Sequence, residues 1–284
     1  MDPKDFDWVL LGYPDDEGIN NNGGRIGSAL GPEGFRKVFY KMTPHLQRHQ
    51  DMIKDLGDWT GTGKLENRHI KLRAELLKLH AQEKKIISIG GGHDYGFPDG
   101  AALCEYFINK GERPFIINFD AHLDVRPLED KINSGTPFYR LLEEFGPKID
   151  FVEFGIQPHC NAKAHLEWAQ SKGAVIYHRD EIRAKGFHKL MDNLTHQFED
   201  RPTFVSVDID AFSSADAPGC SQSWPTGLSA NEFIQNISLL RRRLNIRHFG
   251  VYELSPPLDK DLVTQRLAAQ IIFELMTWEE VSDE

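Results

Sequence analysis

The chain predicts an α/β fold in which short parallel strands alternate with helices. Three observations carry that expectation. Short apolar runs recur from one end to the other, segments with apolar residues at i, i+3 and i+4 separate them, and Asp, His and Gly residues cluster where several runs end. In parallel α/β folds, functional groups gather at the strand C-termini.

Composition bounds the function. With 284 residues, 40% of them hydrophobic, the chain can bury a large core, and we expect one domain spanning 1–284. The balance of 33 Lys+Arg against 43 Asp+Glu gives a formal charge of -10, and the longest basic cluster is Arg241-Arg242-Arg243. Nucleic acid and anionic membrane surfaces are therefore not expected partners. The opening Met1-Asp2-Pro3-Lys4-Asp5 has no basic region leading into an apolar one, and no apolar run approaches membrane-spanning length, so a soluble, cytoplasmic chain is expected. Cys104, Cys160 and Cys220 are odd in number and widely spaced, which argues against a disulfide framework or a cysteine zinc site. All three read as structural, with Cys220 the one that could prove accessible near the site.

Taken in order, the first strand covers 8–12 and runs into the Gly/Asn-rich loop 15–25, whose length suits the rim or lid of a site. Pro32 then opens a helix with Phe35, Val38, Phe39 and Met42 on one face. Further strands are expected over 52–56, 85–89, 114–119, 150–154, 174–177, 203–207 and 247–254. Helices are expected over 70–82, 99–108, 137–145, 162–171, 181–198, 230–243 and 261–276, with Asn161 as an N-cap and Gly173 as a stop. Eight such units suit a closed barrel as well as an open doubly wound sheet, and periodicity does not separate the two.

Three strand ends carry the chemistry. The 114–119 run leads into Asp120, His122 and Asp124 at i, i+2 and i+4, which a continuing strand would aim one way. The 203–207 run leads into Asp208 and Asp210, and the 85–89 run delivers His93 through Gly90-Gly91-Gly92. Each fragment alone has an ordinary reading as a turn, cap or core residue. Together the four aspartates would repel or protonate one another unless divalent cations balanced them. His93 and His122 complete an oxygen and nitrogen set without thiolate, which two metals about 3.5–4 Å apart would suit.

These residues resemble a known family. Gly90-Gly91-Gly92-His93-Asp94, Asp120-Ala121-His122-Leu123-Asp124 and Ser206-Val207-Asp208-Ile209-Asp210 are similar to the three signature motifs of the ureohydrolase, or arginase, superfamily, in that order. The likeness extends from Gly24-Arg25-Ile26-Gly27 and Leu30-Gly31-Pro32 through Ala217-Pro218-Gly219 to Tyr252-Glu253-Leu254-Ser255-Pro256. It implies a three-layer α/β/α sandwich with a mainly parallel eight-stranded sheet, a homo-oligomer, and two Mn²⁺ per subunit, with Ni²⁺ or another divalent ion as the variant. Carried over by motif position, His93 and Asp124 would bind one metal and His122 with a second-motif carboxylate the other. Asp120 and either Asp208 or Asp210 would bridge. Asp124 would also orient the attacking water and move its proton to the leaving nitrogen, and Glu253 would hold a cationic amidine or guanidine substrate.

One departure narrows the substrate. Arginases and agmatinases have a His-Gly pair downstream of the second motif, where this chain has Asn133-Ser134-Gly135-Thr136-Pro137-Phe138. With Asp124-Val125-Arg126-Pro127 and Asp16-Glu17-Gly18, that run resembles the formimidoylglutamases, which cleave N-formimidoyl-glutamate to glutamate and formamide. In that reading Arg126 meets a substrate carboxylate, with Asn133 and Ser134 as further contacts. Two alternatives stand beside it: another ureohydrolase acting on agmatine, arginine, guanidine or a guanidino acid, and a silent relative that keeps metals for assembly. His159, His165, His178, His188, His196 and His248 read as structural or surface groups, and Trp168 as packing.

Overall fold

The computed structural model describes residues 8–43, 53–129 and 131–277. Strands β1 (Trp8–Gly12), β2 (Ile53–Asp58), β3 (Lys85–Ile89), β4 (Phe115–Phe119), β5 (Asp150–Ile156), β6 (Val175–His178), β7 (Pro202–Asp208) and β8 (Asn245–Tyr252) form one sheet. Its order is β2-β1-β3-β8-β7-β4-β5-β6, and every neighbouring pair is parallel. The sheet is open, with β2 and β6 at its edges, which excludes the barrel that periodicity had left possible.

Ten helices are described: α1 (Glu17–Asn21), α2 (Gly31–Phe39), α3 (Leu65–Ala81), α4 (Gly96–Asn109), α5 (Pro137–Phe145), α6 (Lys163–Ser171), α7 (Arg179–Lys185), α8 (Phe187–Gln197), α9 (Ala230–Arg243) and α10 (Val263–Thr277). They cover both faces of the sheet. One core joins Phe35 of α2, Leu194 of α8, Ile237 of α9 and Ile271 of α10 to Phe115, Ile117 and Phe119 of β4. The other joins Leu72 of α3, Leu103 of α4, Leu141 of α5 and Ala169 of α6 to Ile116 of the same strand. A strand buried on both faces needs apolar side chains in both directions, which is why β4 reads as a continuous apolar run. The expected three-layer α/β/α arrangement is the one observed.

Local expectations differ in instructive ways. The 15–25 loop contains the short helix α1, and its Asn21, Asn22 and Gly24 line the cleft, so it forms part of the expected rim. The helix expected over 181–198 is two, α7 and α8, because Gly186 adopts φ 89 and its N–H closes α7 on the Ile182 carbonyl. The last helix starts at Val263, since Asp261 and Leu262 both have positive φ. Asn161 does not cap α6, whose N-cap is Ala162; its side chain instead accepts from the Leu123 N–H and donates to the Ala121 and Gln157 carbonyls. Gly173, at φ 90, does sit just beyond α6 as expected. Met52, proposed as a strand start, lies outside the described residues.

Candidate metal centre and substrate cleft

Strands β3, β8, β7 and β4 are consecutive at the middle of the sheet, and each ends in one group of the site. After β3 comes His93, after β8 Glu253, at the end of β7 Asp208 and then Asp210, and after β4 Asp120, His122 and Asp124. Parallel strands put all these ends on one edge, so residues far apart in sequence meet there. Strand alternation is not what aims the β4 triad. The strand stops at Phe119, and the next residues form a turn in which Asp120 Oδ1 accepts the His122 N–H at 2.7 Å.

Two sets of side chains converge closely enough to hold an ion each. One is His93, Asp120, Asp124 and Asp208; the other is Asp120, His122 and Asp210; in each the candidate ligand atoms lie within 4.8 Å of one another. Asp120 belongs to both. His93 Nδ1 stands 2.9 Å from Asp124 Oδ2 and 3.2 Å from Oδ2 of both Asp120 and Asp208, yet it makes no hydrogen bond of acceptable geometry. One ring nitrogen surrounded by three carboxylate oxygens is a ligand cluster in shape, because a single N–H can serve only one of them. On the second side, His122 Nδ1 is 3.1 Å from Asp210 Oδ2, while Asp210 Oδ1 has no partner. The donor set of hard oxygens with imidazole nitrogens suits a divalent ion such as manganese.

The electrostatics say the same. Burial, then Asp210 and Asp120, push the Asp208 carboxyl well above its usual range; burial brings Asp210 to about 6, and burial with Asp120 raises Asp124. Burial would also drive both histidines neutral, but the carboxylates facing His93 and His122 outweigh it and hold both imidazoles protonated well above 6.5. The protein alone balances its carboxylates only by borrowing protons, and cations would take over that task.

The ligands are held from behind. His93 Nε2 lies 2.8 Å from Ser206 Oγ, and its ring stacks on Tyr252 at 4.8 Å and meets the edge of Phe138 at 5.3 Å. That fixes Nδ1 toward the aspartates. Ser206 was legible in principle: it lies two residues before Asp208 on a strand, hence on the same side. Asn118 Nδ2 donates to both Asp120 Oδ2 and Glu153 Oε2, tying the carboxylate common to both sets to β5. Glu153 is fully buried, and burial followed by Asp120 pushes its carboxyl well above the ordinary range.

Asp124 and Glu253 share a further trait. Both have positive φ, 47 and 64, which is strained backbone for residues with a Cβ. Glu253 Oε1 accepts the His93 N–H at 3.1 Å and its own N–H donates to the Gly91 carbonyl, so the strained turn is anchored on the glycine run.

The open side of the cluster is a cleft in two parts. An inner chamber of about 220 Å³ is bounded by Asp124, Asp208, Asp210, Glu253, Ser134 and Trp224. An outer vestibule of about 630 Å³ is bounded by Asn133, Lys131, Glu129 and His165, and His122, Asp124, Arg126 and Cys160 line both parts. The proposed substrate contacts are therefore brought together. Arg126 is pinned: its guanidinium donates to Asn22 Oδ1, whose amide nitrogen donates to Ser134 Oγ at 3.0 Å. Its stem also lies over Gly135, where a Cβ would come within 2.8 Å of Arg126 Cδ. Asn133 spends its side chain on the loop, accepting from the Gly135 N–H and donating to the Lys131 carbonyl.

Several cleft residues were missed or misplaced in the sequence reading. Cys160, not Cys220, lines the cleft; Cys220 is fully buried. His165 stands in the vestibule wall, where burial and then Arg126 lower its pKa. Asn22 belongs to the loop read as a rim, whereas Lys131 and Trp224 come from loops whose pairing no local pattern announces.

Comparison with known proteins agrees with this fold. The model of the arginase family matches residues 6–278. A formimidoylglutamase of Salmonella newport is 28% identical over 276 residues, covering 95% of this chain and 85% of that one. One of Streptococcus gordonii is 29% identical over 285 residues, with 97% and 86% covered. The crystal structure of Trypanosoma cruzi formiminoglutamase with Mn²⁺₂ superposes with a TM-score of 0.86 at 31% identity, over 96% of this chain and 93% of that one. A Bacillus subtilis formimidoylglutamase structure shares the fold at a TM-score of 0.85 and 24% identity, over 97% and 88%. This chain belongs to the arginase family.

Proposed function

We propose that the chain hydrolyses N-formimidoyl-L-glutamate to L-glutamate and formamide, using two manganese ions held by His93, Asp120, Asp124, Asp208, His122 and Asp210. The observation that carries this reading is the two-part cleft, with the ligand cluster and Glu253 inside and a pinned arginine where the parts join. Bound at the cluster, the cations would supply the Lewis acidity that lets water lose a proton near neutral pH.

The remaining steps belong to side chains. Glu253 faces the inner chamber with one oxygen held by the His93 N–H, leaving the other for the N–H groups of a cationic formimidoyl head. Asp124 lies between cluster and cleft, where it accepts the proton of the attacking water and delivers it to the glutamate nitrogen as that C–N bond breaks. Arg126 takes a carboxylate of the glutamate tail, and Ser134 stands in the chamber wall. The reading takes residues 1–284 as one domain acting on a small molecule, cytoplasmic and homo-oligomeric. Its cysteines are unpaired, and no described helix is long and apolar enough to cross a membrane.

The test is product release by purified, manganese-loaded protein: formamide from formimidoyl-glutamate, and urea from agmatine, arginine or guanidine. Formimidoyl-glutamate should be turned over with the highest kcat/KM. A preference for a guanidino substrate moves the chain to another activity of the family, and no turnover of any of them overturns the reading.

A further inference from the structure

The outer vestibule holds a second cation with no assigned task. Lys131 lines the wall that also carries Arg126. Among the described residues neither side chain has a carboxylate partner, whereas Arg36, Arg68, Arg73, Arg113 and Arg243 are all ion-paired. Arg126 spends one N–H on the neutral Asn22 oxygen, which orients it and leaves its charge uncompensated. Among the described residues, the outer wall adds one carboxylate to Asp124, that of Glu129. Once cations offset Asp124 in the proposed metal centre, Arg126 and Lys131 face only Glu129 among the described residues of the outer wall, and on a chain with a formal charge of -10 that positive excess would draw an anion to the cleft mouth.

We infer that Lys131 and Arg126 form a two-point clamp for a dicarboxylate tail, Arg126 binding one carboxylate and Lys131 the other. This rests on the hydrolase reading above and deepens it, because it makes the second tail carboxylate a determinant of specificity. The division of labour follows from the chemistry of the two groups. The guanidinium is planar and held by Asn22, its stem passing close over Gly135, so it fixes one carboxylate in a set direction; the ammonium on its flexible stem follows the other. Ligands with one tail carboxylate would use the arginine alone.

The experiment compares wild type, Lys131→Met, Lys131→Arg and Arg126→Met on two readouts. The first is kcat and KM for formimidoyl-glutamate and for N-formimidoyl-4-aminobutyrate, which lacks the α-carboxylate. The second is calorimetric binding of N-acetyl-L-glutamate and N-acetyl-4-aminobutyrate to the manganese-loaded protein, which needs no turnover. Lys131→Met should raise KM for the dicarboxylate and weaken N-acetyl-L-glutamate about tenfold. It should leave kcat within about twofold, and both single-carboxylate ligands unchanged. Lys131→Arg should restore most of the loss, and Arg126→Met should weaken all four ligands. Equal weakening of single- and double-carboxylate ligands by Lys131→Met, or no change, overturns the clamp. Wild type that binds N-acetyl-L-glutamate through Lys131 but does not cleave formimidoyl-glutamate overturns the hydrolase reading and leaves the clamp standing.

Discussion

At the scale of single residues, Asp124 is asked to do most. Its carboxylate belongs to the first ligand set and faces the cleft, on backbone held at φ 47. Asp124→Asn keeps the shape but removes the charge and the proton acceptor. We expect kcat to fall by about 10³-fold or more while the circular dichroism spectrum stays native. Turnover within tenfold of wild type would take the proton transfer away from this residue. Gly135→Ala makes a subtler case. The added Cβ would meet the Arg126 stem at 2.8 Å, so the guanidinium must shift away from Asn22. KM for formimidoyl-glutamate should rise several-fold with kcat nearly unchanged, because the lost contact is made equally in ground and transition states. An unchanged KM would show that Arg126 does not hold the tail. These site residues were readable because their types and spacings recur at strand ends. Lys131, Cys160 and Trp224 were not, because they reach the cleft from two loops and a single 3-10 turn that nothing in their neighbours' periodicity directs there.

At the scale of elements, the strands were easier to read than the helices. A strand buried on both sides, such as β4 or β7, has no exposed position to blur its pattern. Helix limits instead depend on single backbone angles at Gly186, Asp261 and Leu262, which periodicity does not register. Packing between elements also leaves a pH signature. His80 on α3 is fully buried, with both ring nitrogens lacking partners and its ring 5.9 Å from that of His248 on β8. Burial, then the neighbouring His248 and Arg247, lower its pKa from 6.5 to about 2. The unfolded chain therefore takes up a proton below pH 6.5 that the native state refuses, so stability falls as pH drops through that value and keeps falling toward 2. Between pH 7 and pH 5 this single group should cost about 2 kcal/mol. Denaturant unfolding of wild type and His80→Leu at both pH values checks it: the variant should lose less stability by that amount, and equal losses would remove His80 as the cause.

At the scale of the molecule, the proposed cation pair would hold the central strand ends together. A ligand that binds only the native state adds stability by mass action, about 2.7 kcal/mol at a hundredfold excess over Kd. Manganese should therefore raise Tm by several degrees over chelator-treated protein, and Asp120→Ala, which removes the residue common to both sets, should abolish most of that shift. A melting temperature indifferent to manganese would sink the metal centre. The strand–helix alternation and the ligand motifs were legible because each is a pattern written along the chain; the three-layer arrangement came only from the family resemblance, and the cleft was not legible, because it depends on which loops happen to meet.

The place of β8 in the sheet has a consequence for how the chain reaches its native state. β8 is the last strand in sequence, yet it lies between β3 and β7, and its His248 meets Ser88 across 160 residues. Nearly the whole chain must be synthesised before the middle of the sheet can close, and closing so long a loop makes this pairing entropically slow. Until then His93 on one side and the aspartates of β7 and β4 on the other belong to separate halves. With the proposed metal centre, manganese capture at full affinity would report that β8 has been inserted, and in refolding experiments it should follow, not precede, the burial of the sheet's centre.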